Sequence, residues 1–242
     1  MKVSTIDPSH DPMGAAIRDY HLTGKNARLR VMSSMFDDDE MPVPHLFRTF
    51  NEMPPLEQLA INMASGRVLD IGAGAGCHAL ALQERGIEVK AIDISPLSCE
   101  VMRERGIKDV ECINIYNTQF QGTFDTLLLL MNGTGIAGKL KQLPYWLNRL
   151  KELLAPDGCI LIDSSDLKYI YENEDGSIDI DLNAPYYGEV DYRMQYRGVK
   201  GETFDWLYTD PTLLNSICQQ NGLKCEIVGT GEHYDYLAKL TR

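Results

Sequence analysis

The feature that most constrains this fold is a run of alternating glycines that directly follows a short apolar segment. Residues 68–76 are Val-Leu-Asp-Ile-Gly-Ala-Gly-Ala-Gly, and residues 77–85 then have the pattern of a helix. Glycine lets the backbone turn sharply and lets a ligand approach main-chain atoms closely. The run therefore predicts a buried strand, a tight ligand-binding loop and a helix in succession.

The chain beyond the glycine run continues to alternate strands and helices. Short apolar segments predict strands at residues 68–71, 89–92, 110–113, 126–131 and 159–162. Helices are predicted at residues 77–85, 95–106 and 140–154, with a turn at 156–158. A helix from Asp210-Pro211 and two last strands follow, at 225–228 and 234–240. Such alternation gives an α/β, Rossmann-like fold, with a seven-stranded, mostly parallel sheet and helices on both faces.

Two regions outside this alternation are predicted as additions to the sheet domain, which spans residues 66–242. Residues 1–65 predict an N-terminal helical cap, with short helices at 15–20, 26–35, 44–50 and 55–63. Residues 164–209 predict an insertion on the substrate side. Within it, apolar and polar residues alternate at 190–196 and 204–208 around a Gly-Val-Lys-Gly segment, which is typical of a β-hairpin.

Composition disfavours several classes of protein. The chain has 242 residues, 44% of them hydrophobic, which suits one globular α/β domain. No segment reaches the roughly 18 unbroken apolar residues of a membrane helix, and no signal-peptide core is present, so we expect a cytoplasmic protein without a membrane partner. The net charge of −12 disfavours a nucleic-acid partner. Six scattered cysteines predict free thiols and no metal site. We expect a monomer or a homodimer.

Two acidic residues refine the kind of ligand that the glycine loop can hold. Asp93 ends the second strand, about 20 residues beyond the glycines, where it can accept hydrogen bonds from both hydroxyls of a ribose. The glycine pattern is G-x-G-x-G, whereas dinucleotide sites use G-x-G-x-x-G to make room for a pyrophosphate. Asp70 precedes the first glycine by two residues. A carboxylate there would repel a phosphate but suits a ligand with an ammonium and a sulfonium charge.

At these positions the sequence resembles the class I S-adenosylmethionine-dependent methyltransferases. Residues 68–76 resemble their first motif and residues 91–96 their second. The resemblance continues through residues 124–132 and 153–162, so that residues 66–165 follow the family in order and spacing. It implies a methyltransferase with S-adenosylmethionine as its cofactor.

The resemblance also implies roles for the residues of the first two motifs. Asp70 and the loop of Gly72, Gly74 and Gly76 would hold the methionine end of the cofactor. Asp93 would bind the ribose hydroxyls. Alternative roles remain open at this stage, since the glycines could serve only tight strand–helix packing and Asp93 could cap the following helix.

Further along the chain, the resemblance implies the residues around the adenine and the sulfonium. Ile94 would pack on the adenine, with Asn114 and Ile115 beside it. Many family members have aspartate where this chain has Asn114, but the amide oxygen can also accept a hydrogen bond from the adenine amino group. Met131 and Asn132 would lie near the sulfonium, although Asn132 could also belong to a simple turn.

The acceptor side of the site is less constrained by the sequence. Methyl transfer is an in-line displacement with a neutral leaving group, so alignment supplies much of the acceleration and a base is needed only if the acceptor must lose a proton. The candidates for that role are Asn132, Tyr20, Asp163 and His21. We expect Tyr20 and the aromatic face of the predicted hairpin to roof a small-molecule acceptor. The same aromatic face could instead be core packing.

Two other functions remain compatible with the sequence. One is an NAD(P)-dependent oxidoreductase on a Rossmann sheet, against which the early third glycine and Asp70 count. The other is a protein that binds S-adenosylmethionine without catalysing a reaction. The sequence favours the methyltransferase over both.

Overall fold

The structure, a computed structural model, describes residues 4–26, 28–173, 175, 177–179 and 183–242. These residues form a seven-stranded sheet with flanking helices and a smaller five-stranded sheet. The α-helices are α1 (Pro12–Thr23), α2 (Pro55–Met63), α3 (Cys77–Glu84), α4 (Pro96–Glu104), α5 (Leu143–Leu153) and α6 (Pro211–Gln220). The strands are β1 (Leu29–Met32), β2 (Asp39–Met41), β3 (Arg67–Ile71), β4 (Glu88–Asp93), β5 (Asp109–Cys112), β6 (Phe124–Leu129), β7 (Leu154–Ser165), β8 (Glu189–Tyr196), β9 (Val199–Lys200), β10 (Phe204–Leu207), β11 (Lys224–Thr230) and β12 (Asp235–Thr241).

Parallel pairing dominates the larger sheet, whose strand order is β11-β12-β7-β6-β3-β4-β5. Strands β7, β6, β3, β4 and β5 pair in parallel. Strand β12 is antiparallel to β7, and β11 is antiparallel to β12. The expected Rossmann-like fold class is confirmed. Because the carboxyl ends of parallel strands meet at one edge of a sheet, the loops after β3, β4 and β6 converge there.

Successive residues of the central strands pack into two hydrophobic clusters, one on each face of the sheet. Leu69 and Leu127 belong to the cluster that contains Trp146 of α5. Val68 and Leu128 belong to the cluster built with α2, α3 and α4. All five side chains have 0% exposure, and each buried aliphatic side chain contributes about 1.5–3 kcal/mol to folding. Burial on both faces explains why β3 and β6 are nearly continuous apolar runs.

The helix predicted over residues 26–35 is wrong, because this segment contains strand β1. Leu29 to Met32 pair antiparallel with β8, with Leu29 opposite Tyr196, and β2 pairs with the other edge of β1. Leu29 is fully buried and Arg30 is exposed, as side chains on opposite faces of a strand can be, whereas Val31 and Met32 are both half-buried. Its partner lies far away in the sequence, and a local reading of the segment cannot include that pairing.

The other predicted cap helices differ in accuracy. The helix predicted at 55–63 is confirmed as α2, and the one at 15–20 lies inside the longer α1. The segment predicted as a helix at 44–50 instead forms two short 3₁₀ helices, Val43–Phe47 and Phe50–Glu52. The segment breaks at Arg48 and Thr49, whose backbones are extended with ψ values of 146° and 167°. The Thr49 N–H donates to the Glu52 carboxylate at 2.8 Å, which begins a new turn.

The predicted hairpin of the insertion is confirmed, since β8 and β10 pair antiparallel with Phe204 opposite Tyr192. With β1, β2 and β9 they form the smaller sheet. The turn predicted at 156–158 is instead a bulge inside β7. The pairing with β6 jumps there from Leu154 to Cys159, while β6 advances only from Phe124 to Thr126.

Three properties bear on the remaining expectations. In the described ranges, no helix combines the length and apolar content needed to cross a bilayer. No three or more His, Cys, Asp or Glu side chains of the described residues are grouped as a metal site would require. Each of the six cysteines has a free thiol.

Candidate functional site

The glycine loop after β3 turns through left-handed backbone conformations at all three of its glycines. Gly72, Gly74 and Gly76 have φ values of 73°, 56° and 81°, a region that costs other residues roughly 1–2 kcal/mol. A Cβ on Gly74 would meet nothing within 4 Å, whereas one on Gly76 would overlap the Ile107 side chain. Gly74 thus faces the open cleft, and Gly76 allows the loop to pack closely against the region after α4.

Asp93, the last residue of β4, connects the glycine loop to the start of α4. Its Oδ2 accepts a hydrogen bond from the Gly74 N–H at 2.8 Å, and its Oδ1 accepts one from the Ser95 N–H at 2.8 Å. Burial raises the pKa of Asp93 to about 6, although both N–H donors act to lower it. The carboxylate lines the cleft, so a ligand can reach it.

Asp70 places a second carboxylate in the floor of the same cleft. Its side chain is 2% exposed, and its Oδ2 atom has no hydrogen-bond partner among the described residues. Burial raises the pKa of Asp70 to about 6, against the lowering effect of the nearby His78. A buried carboxylate oxygen without a donor favours a ligand that brings a donor or a positive charge.

Behind Asp70 lies a network of buried polar side chains that the sequence analysis did not identify. The Glu57 carboxylate on α2 accepts hydrogen bonds from His78 Nε2 at 2.9 Å and from Arg48 Nε at 3.0 Å. Burial acts to lower the pKa of His78, but Cys77, Glu57 and Asp70 outweigh it, and the pKa lies well above its usual value. These contacts join α2 to the start of α3, and a glutamate in the first turn of a helix gave no local signal of them.

Asp163 of β7 holds the loop that follows β6. Its carboxylate accepts hydrogen bonds from the N–H groups of Met131 at 3.0 Å and Gly133 at 2.9 Å. Met131 and Asn132 both have left-handed backbone conformations, with φ values of 67° and 62°. Hydrogen bonds to a charged acceptor contribute about 1.5–3 kcal/mol each, which offsets the cost of that backbone. Asp163, one of the base candidates, does not line the cleft.

The side chain of Asn132 also has structural partners. Its Oδ1 accepts a hydrogen bond from Ser164 Oγ at 2.9 Å, and its Nδ2 donates to the Leu207 carbonyl at 3.3 Å. These bonds connect the loop after β6 to β7 and β10. Asn132 lines the cleft, but its amide is engaged in this connection.

The expected adenine side of the cleft is formed by the loops after β4 and β5 together with the N-terminal segment. Ile94, Asn114 and Ile115 all line the cleft, and Ile94 is 37% exposed. The Ile6 N–H donates to the Ile94 carbonyl at 2.9 Å, and Asn114 Nδ2 donates to the Ser4 carbonyl at 3.4 Å. The N-terminal segment thus contributes to this wall, which the sequence analysis did not foresee.

The far end of the cleft is walled by the aromatic hairpin. Tyr192, Phe204, Trp206 and Tyr208 line it, as does Met194. The Tyr192 and Tyr208 hydroxyls are 3.1 Å apart, and the Phe204 and Trp206 rings meet edge to face at 5.9 Å. The hairpin therefore serves as a wall of the cleft in addition to packing against the sheet.

The lining of the cleft also excludes Tyr20, His21 and Tyr196. Tyr20 packs on Phe47 with ring centroids 4.8 Å apart, and it is absent from the cleft lining. The Nε2 atom of His21 lies 3.1 Å from a carboxylate oxygen of Glu104. Tyr196, the remaining aromatic residue of the hairpin face, donates its hydroxyl to Asp19 at 2.6 Å and is buried against α1. The geometry does not bring Tyr20 to the acceptor end where we expected it.

Comparisons with known proteins agree with the geometry. A family model described as a methyltransferase domain matches residues 68–158. A solved structure of a SAM-dependent methyltransferase from Bacteroides fragilis, in complex with S-adenosyl-L-homocysteine, is 55% identical. Its TM-score is 0.93, and the match covers 99% of this chain and 98% of that chain.

Two curated relatives are more distant. An uncharacterized methyltransferase from Staphylococcus carnosus is 28% identical over 182 residues, which are 68% of this chain and 86% of that protein. A cypemycin N-terminal methyltransferase from a Streptomyces species is 29% identical over 102 residues. That match covers 41% of this chain and 42% of the Streptomyces protein.

Proposed function

Because the chain belongs to the class I S-adenosylmethionine-dependent methyltransferases, we propose that it methylates a small molecule held between the cofactor loops and the β8–β10 hairpin. One observation carries this proposal. A single cleft of about 1490 Å³ extends from the glycine loop to the aromatic wall of the hairpin. Clefts for one small ligand measure roughly 300–1,000 Å³, so this cleft has room for a cofactor and an acceptor side by side.

The residues at the cofactor end fit S-adenosylmethionine. The open space above Gly74 lets a ligand approach the loop backbone. The unpartnered oxygen of Asp70 suits the ammonium and sulfonium charges, and we assign Asp70 with Gly72 and Gly74 to the methionine end. We assign Asp93 to the ribose hydroxyls, which can donate to a carboxylate that already accepts two backbone N–H groups. Gly76 would support the loop by packing.

The remaining cofactor contacts follow from the loops after β4, β5 and β6. Ile94 offers an exposed apolar surface for one face of the adenine. Asn114 and Ile115 line the cleft beside it. Met131 lies on the loop between the two ends of the cleft, where we place the reacting methyl group. Its left-handed backbone, fixed by Asp163, would hold that loop in one position.

When bound, S-adenosylmethionine supplies a methyl group on a sulfonium sulfur. The residues of this chain would orient the acceptor and exclude water from it. Burial raises the pKa values of Tyr192 and Tyr208, so both hydroxyls stay protonated near neutral pH and do not act as bases. We therefore propose that Asn132 and the hairpin tyrosines position the reactants, and that the chemistry needs no strong base from the protein.

Two further features of the chain concern the compartment of the enzyme and the size of its acceptor. Six free cysteines fit a reducing compartment, so we propose a cytoplasmic enzyme. The lining of the cleft supports a small-molecule acceptor, because the hairpin and the N-terminal segment wall its two ends.

Release of S-adenosylhomocysteine from S-adenosylmethionine tests the proposal. The protein is incubated with a cell extract that has been divided by ultrafiltration into small molecules and macromolecules. We expect acceptor-dependent release with the small-molecule fraction. Release only with the macromolecular fraction would contradict the small-molecule acceptor, and binding of S-adenosylhomocysteine without release in either fraction would favour a non-catalytic role.

A pair of glycine variants assigns that activity to the hairpin end of the cleft. In Gly135→Ala, the added Cβ overlaps the Trp206 indole, which must move from its position in the wall of the cleft. We expect acceptor turnover to fall while the affinity for S-adenosylhomocysteine stays within about twofold. Gly198→Ala is the control, because a Cβ there meets nothing within 4 Å. Full turnover by Gly135→Ala would place the acceptor elsewhere.

A further inference from the structure

We propose that the acceptor is an organic amine, bound as a cation between the aromatic wall and the acidic side chains at the hairpin end of the cleft. This inference rests on the proposed methyl-acceptor site and names its substrate class. Three features support an amine: the acidic side chains that line the cleft, the weakness of their ion pairs, and the aromatic side chains that lie among them.

Apart from histidines, the charged residues in the described lining of the cleft are all acidic. Among its described residues there is no lysine and no arginine. Five acidic residues line the hairpin end: Asp37, Asp39, Glu40, Glu202 and Asp205. Clefts lined by one sign of charge concentrate the field and attract ligands of the opposite sign.

Nearby basic side chains compensate this charge only in part. Glu40 faces Arg28 at 3.3 Å and Asp205 faces Lys139 at 3.5 Å, with all four side chains well exposed. Exposed pairs of this kind are weak. Within the described part of the chain, Asp37 and Asp39 have no ion pair, so the end of the cleft keeps a net negative charge.

Aromatic side chains lie among these carboxylates. Asp39 on β2 and Met194 on β8 both pair with Val31 of β1, and Tyr192 follows Met194 on the same face of β8. Burial is the main cause that raises the pKa of Tyr192, and the charge of Asp39 acts in the same direction. Tyr208 meets Tyr192 through its hydroxyl, and Trp206 follows on the same wall. A cation over an aromatic face is attracted by the ring's negative charge distribution, and a carboxylate beside it adds to that attraction.

The same arrangement disfavours the other common acceptors. A carboxylate or phosphate would lie beside like charges, and the described lining of the cleft offers it no lysine or arginine. A phenol or alcohol acceptor would have to lose a proton, and the hairpin tyrosines are themselves protonated near neutral pH. An amine needs neither a basic counter-charge nor a strong base, because it can reach its neutral form by losing a proton to water.

The transfer is balanced for an amine. The ammonium first releases one proton to water at the mouth of the cleft. The nitrogen lone pair then forms the new N–C bond to the methyl carbon while the C–S bond breaks and its electron pair stays on sulfur. One positive charge thus passes from sulfur to nitrogen, and the acidic lining holds a cation before and after the reaction.

The experiment compares three probes that share a phenylethyl group and differ in charge. Phenethylamine is a cation, 2-phenylethanol is neutral and 3-phenylpropanoate is an anion near neutral pH. Each is titrated calorimetrically into protein saturated with S-adenosylhomocysteine, so that the cofactor end is blocked. We expect phenethylamine to bind at least tenfold more tightly than 2-phenylethanol, and 3-phenylpropanoate to show no binding.

Neighbouring aspartates provide a matched pair of variants. Asp39→Asn removes a charge that lines the cleft, and we expect it to reduce the preference for the amine several-fold. Asp38→Asn is the control, because Asp38 pairs with Arg30 at 2.6 Å and does not line the cleft. Neither variant should change the affinity for S-adenosylhomocysteine by more than about twofold.

The outcomes separate this inference from the function on which it rests. Equal or tighter binding of the neutral or anionic probe, or an unchanged preference in Asp39→Asn, would overturn the amine while leaving the methyltransferase intact. Absence of binding by all three probes would also overturn it. If S-adenosylhomocysteine itself does not bind, the proposed function fails and this inference fails with it.

Discussion

Replacing Asp93 by asparagine should separate ligand binding from fold stability. The carboxylate accepts hydrogen bonds from Gly74 N and Ser95 N at 2.8 Å each. The asparagine amide keeps one acceptor oxygen of nearly the same shape but loses the charge and the second acceptor. The variant therefore removes the feature that we assign to the ribose with the least change to the loop.

The magnitude follows from the pKa of Asp93. Burial raises it from 3.8 to about 6, and one pKa unit corresponds to about 1.36 kcal/mol. Keeping this carboxylate ionised at pH 7 without a ligand therefore costs the folded protein about 3 kcal/mol. The neutral amide avoids that cost, while one N–H loses its acceptor at a cost of about 1–3 kcal/mol. The two effects oppose each other, and we expect the free energy of unfolding to change by less than about 2 kcal/mol.

Cofactor binding should respond much more strongly. A hydrogen bond from a ribose hydroxyl to a charged acceptor contributes about 1.5–3 kcal/mol, so the loss of one such bond should weaken S-adenosylhomocysteine binding by roughly 10- to 100-fold. Calorimetric titration and thermal unfolding measure the two quantities on the same sample. Asp109→Asn is the control, because Asp109 pairs with Lys90 on the surface, outside the cleft.

Binding of S-adenosylhomocysteine by Asp93→Asn within twofold of the wild type would contradict the assignment of Asp93 to the ribose. Asp93 would then be a structural cap for the loop and α4 only. Unfolding of Asp93→Asn but not of Asp109→Asn would show instead that the carboxylate is required for folding.

Three further predictions follow. Burial raises the pKa values of Asp70 and Asp93 to about 6, so the folded protein binds protons more readily than the unfolded chain, and these two groups should lower the free energy of unfolding as pH rises from about 4 to 6. The affinity for the cationic S-adenosylmethionine should rise roughly tenfold from pH 5 to pH 7, as the carboxylates ionise. An affinity that does not change over this pH range would contradict the prediction. Gly76→Ala places a Cβ that overlaps the Ile107 side chain, and it should lower the free energy of unfolding by about 1–3 kcal/mol in denaturant unfolding. Gly74→Val should abolish S-adenosylhomocysteine binding and leave the circular dichroism spectrum near native. Lost binding in a stable Gly76→Ala and an unfolded Gly74→Val would assign the ligand contact to Gly76 and the packing role to Gly74. Asp163→Asn leaves one loop N–H without an acceptor, which costs about 1–3 kcal/mol. Because burial raises the pKa of Asp163 from 3.8 to about 6, the variant also removes a cost of about 3 kcal/mol for the ionised carboxylate at pH 7. We therefore expect the unfolding temperature to change by only a few degrees, and unfolding of the variant at room temperature would show that the ionised carboxylate is required to hold the loop.

The parallel sheet could be predicted because each of its strands is indicated by a pattern of neighbouring residues in the sequence. The predicted strands contain short apolar segments, and both faces of β3 and β6 are buried. The glycine loop and Asp93 were predictable for the same reason, since they directly follow strands. The smaller sheet was harder, because Leu29 pairs with Tyr196 across most of the chain.

The residues that shape the acceptor end depend on tertiary contacts, and local patterns did not reveal them. Asp163 looked like a base candidate because it ends an apolar strand, yet it holds the Met131 loop. Tyr20 looked like part of a roof, yet α1 turns it against Phe47. The alternating pattern of the hairpin predicted an aromatic face, but only the fold shows that Tyr192 lines the cleft and Tyr196 does not.

The central claim is that the glycine loop and Asp93 hold S-adenosylmethionine at the carboxyl ends of β3 and β4. Calorimetric titration of the wild-type protein with S-adenosylhomocysteine and, separately, with NAD tests it most directly. We predict a dissociation constant in the micromolar range for S-adenosylhomocysteine, and far weaker binding of NAD. Binding of NAD as tight as that of S-adenosylhomocysteine, or no binding of S-adenosylhomocysteine, would contradict the account.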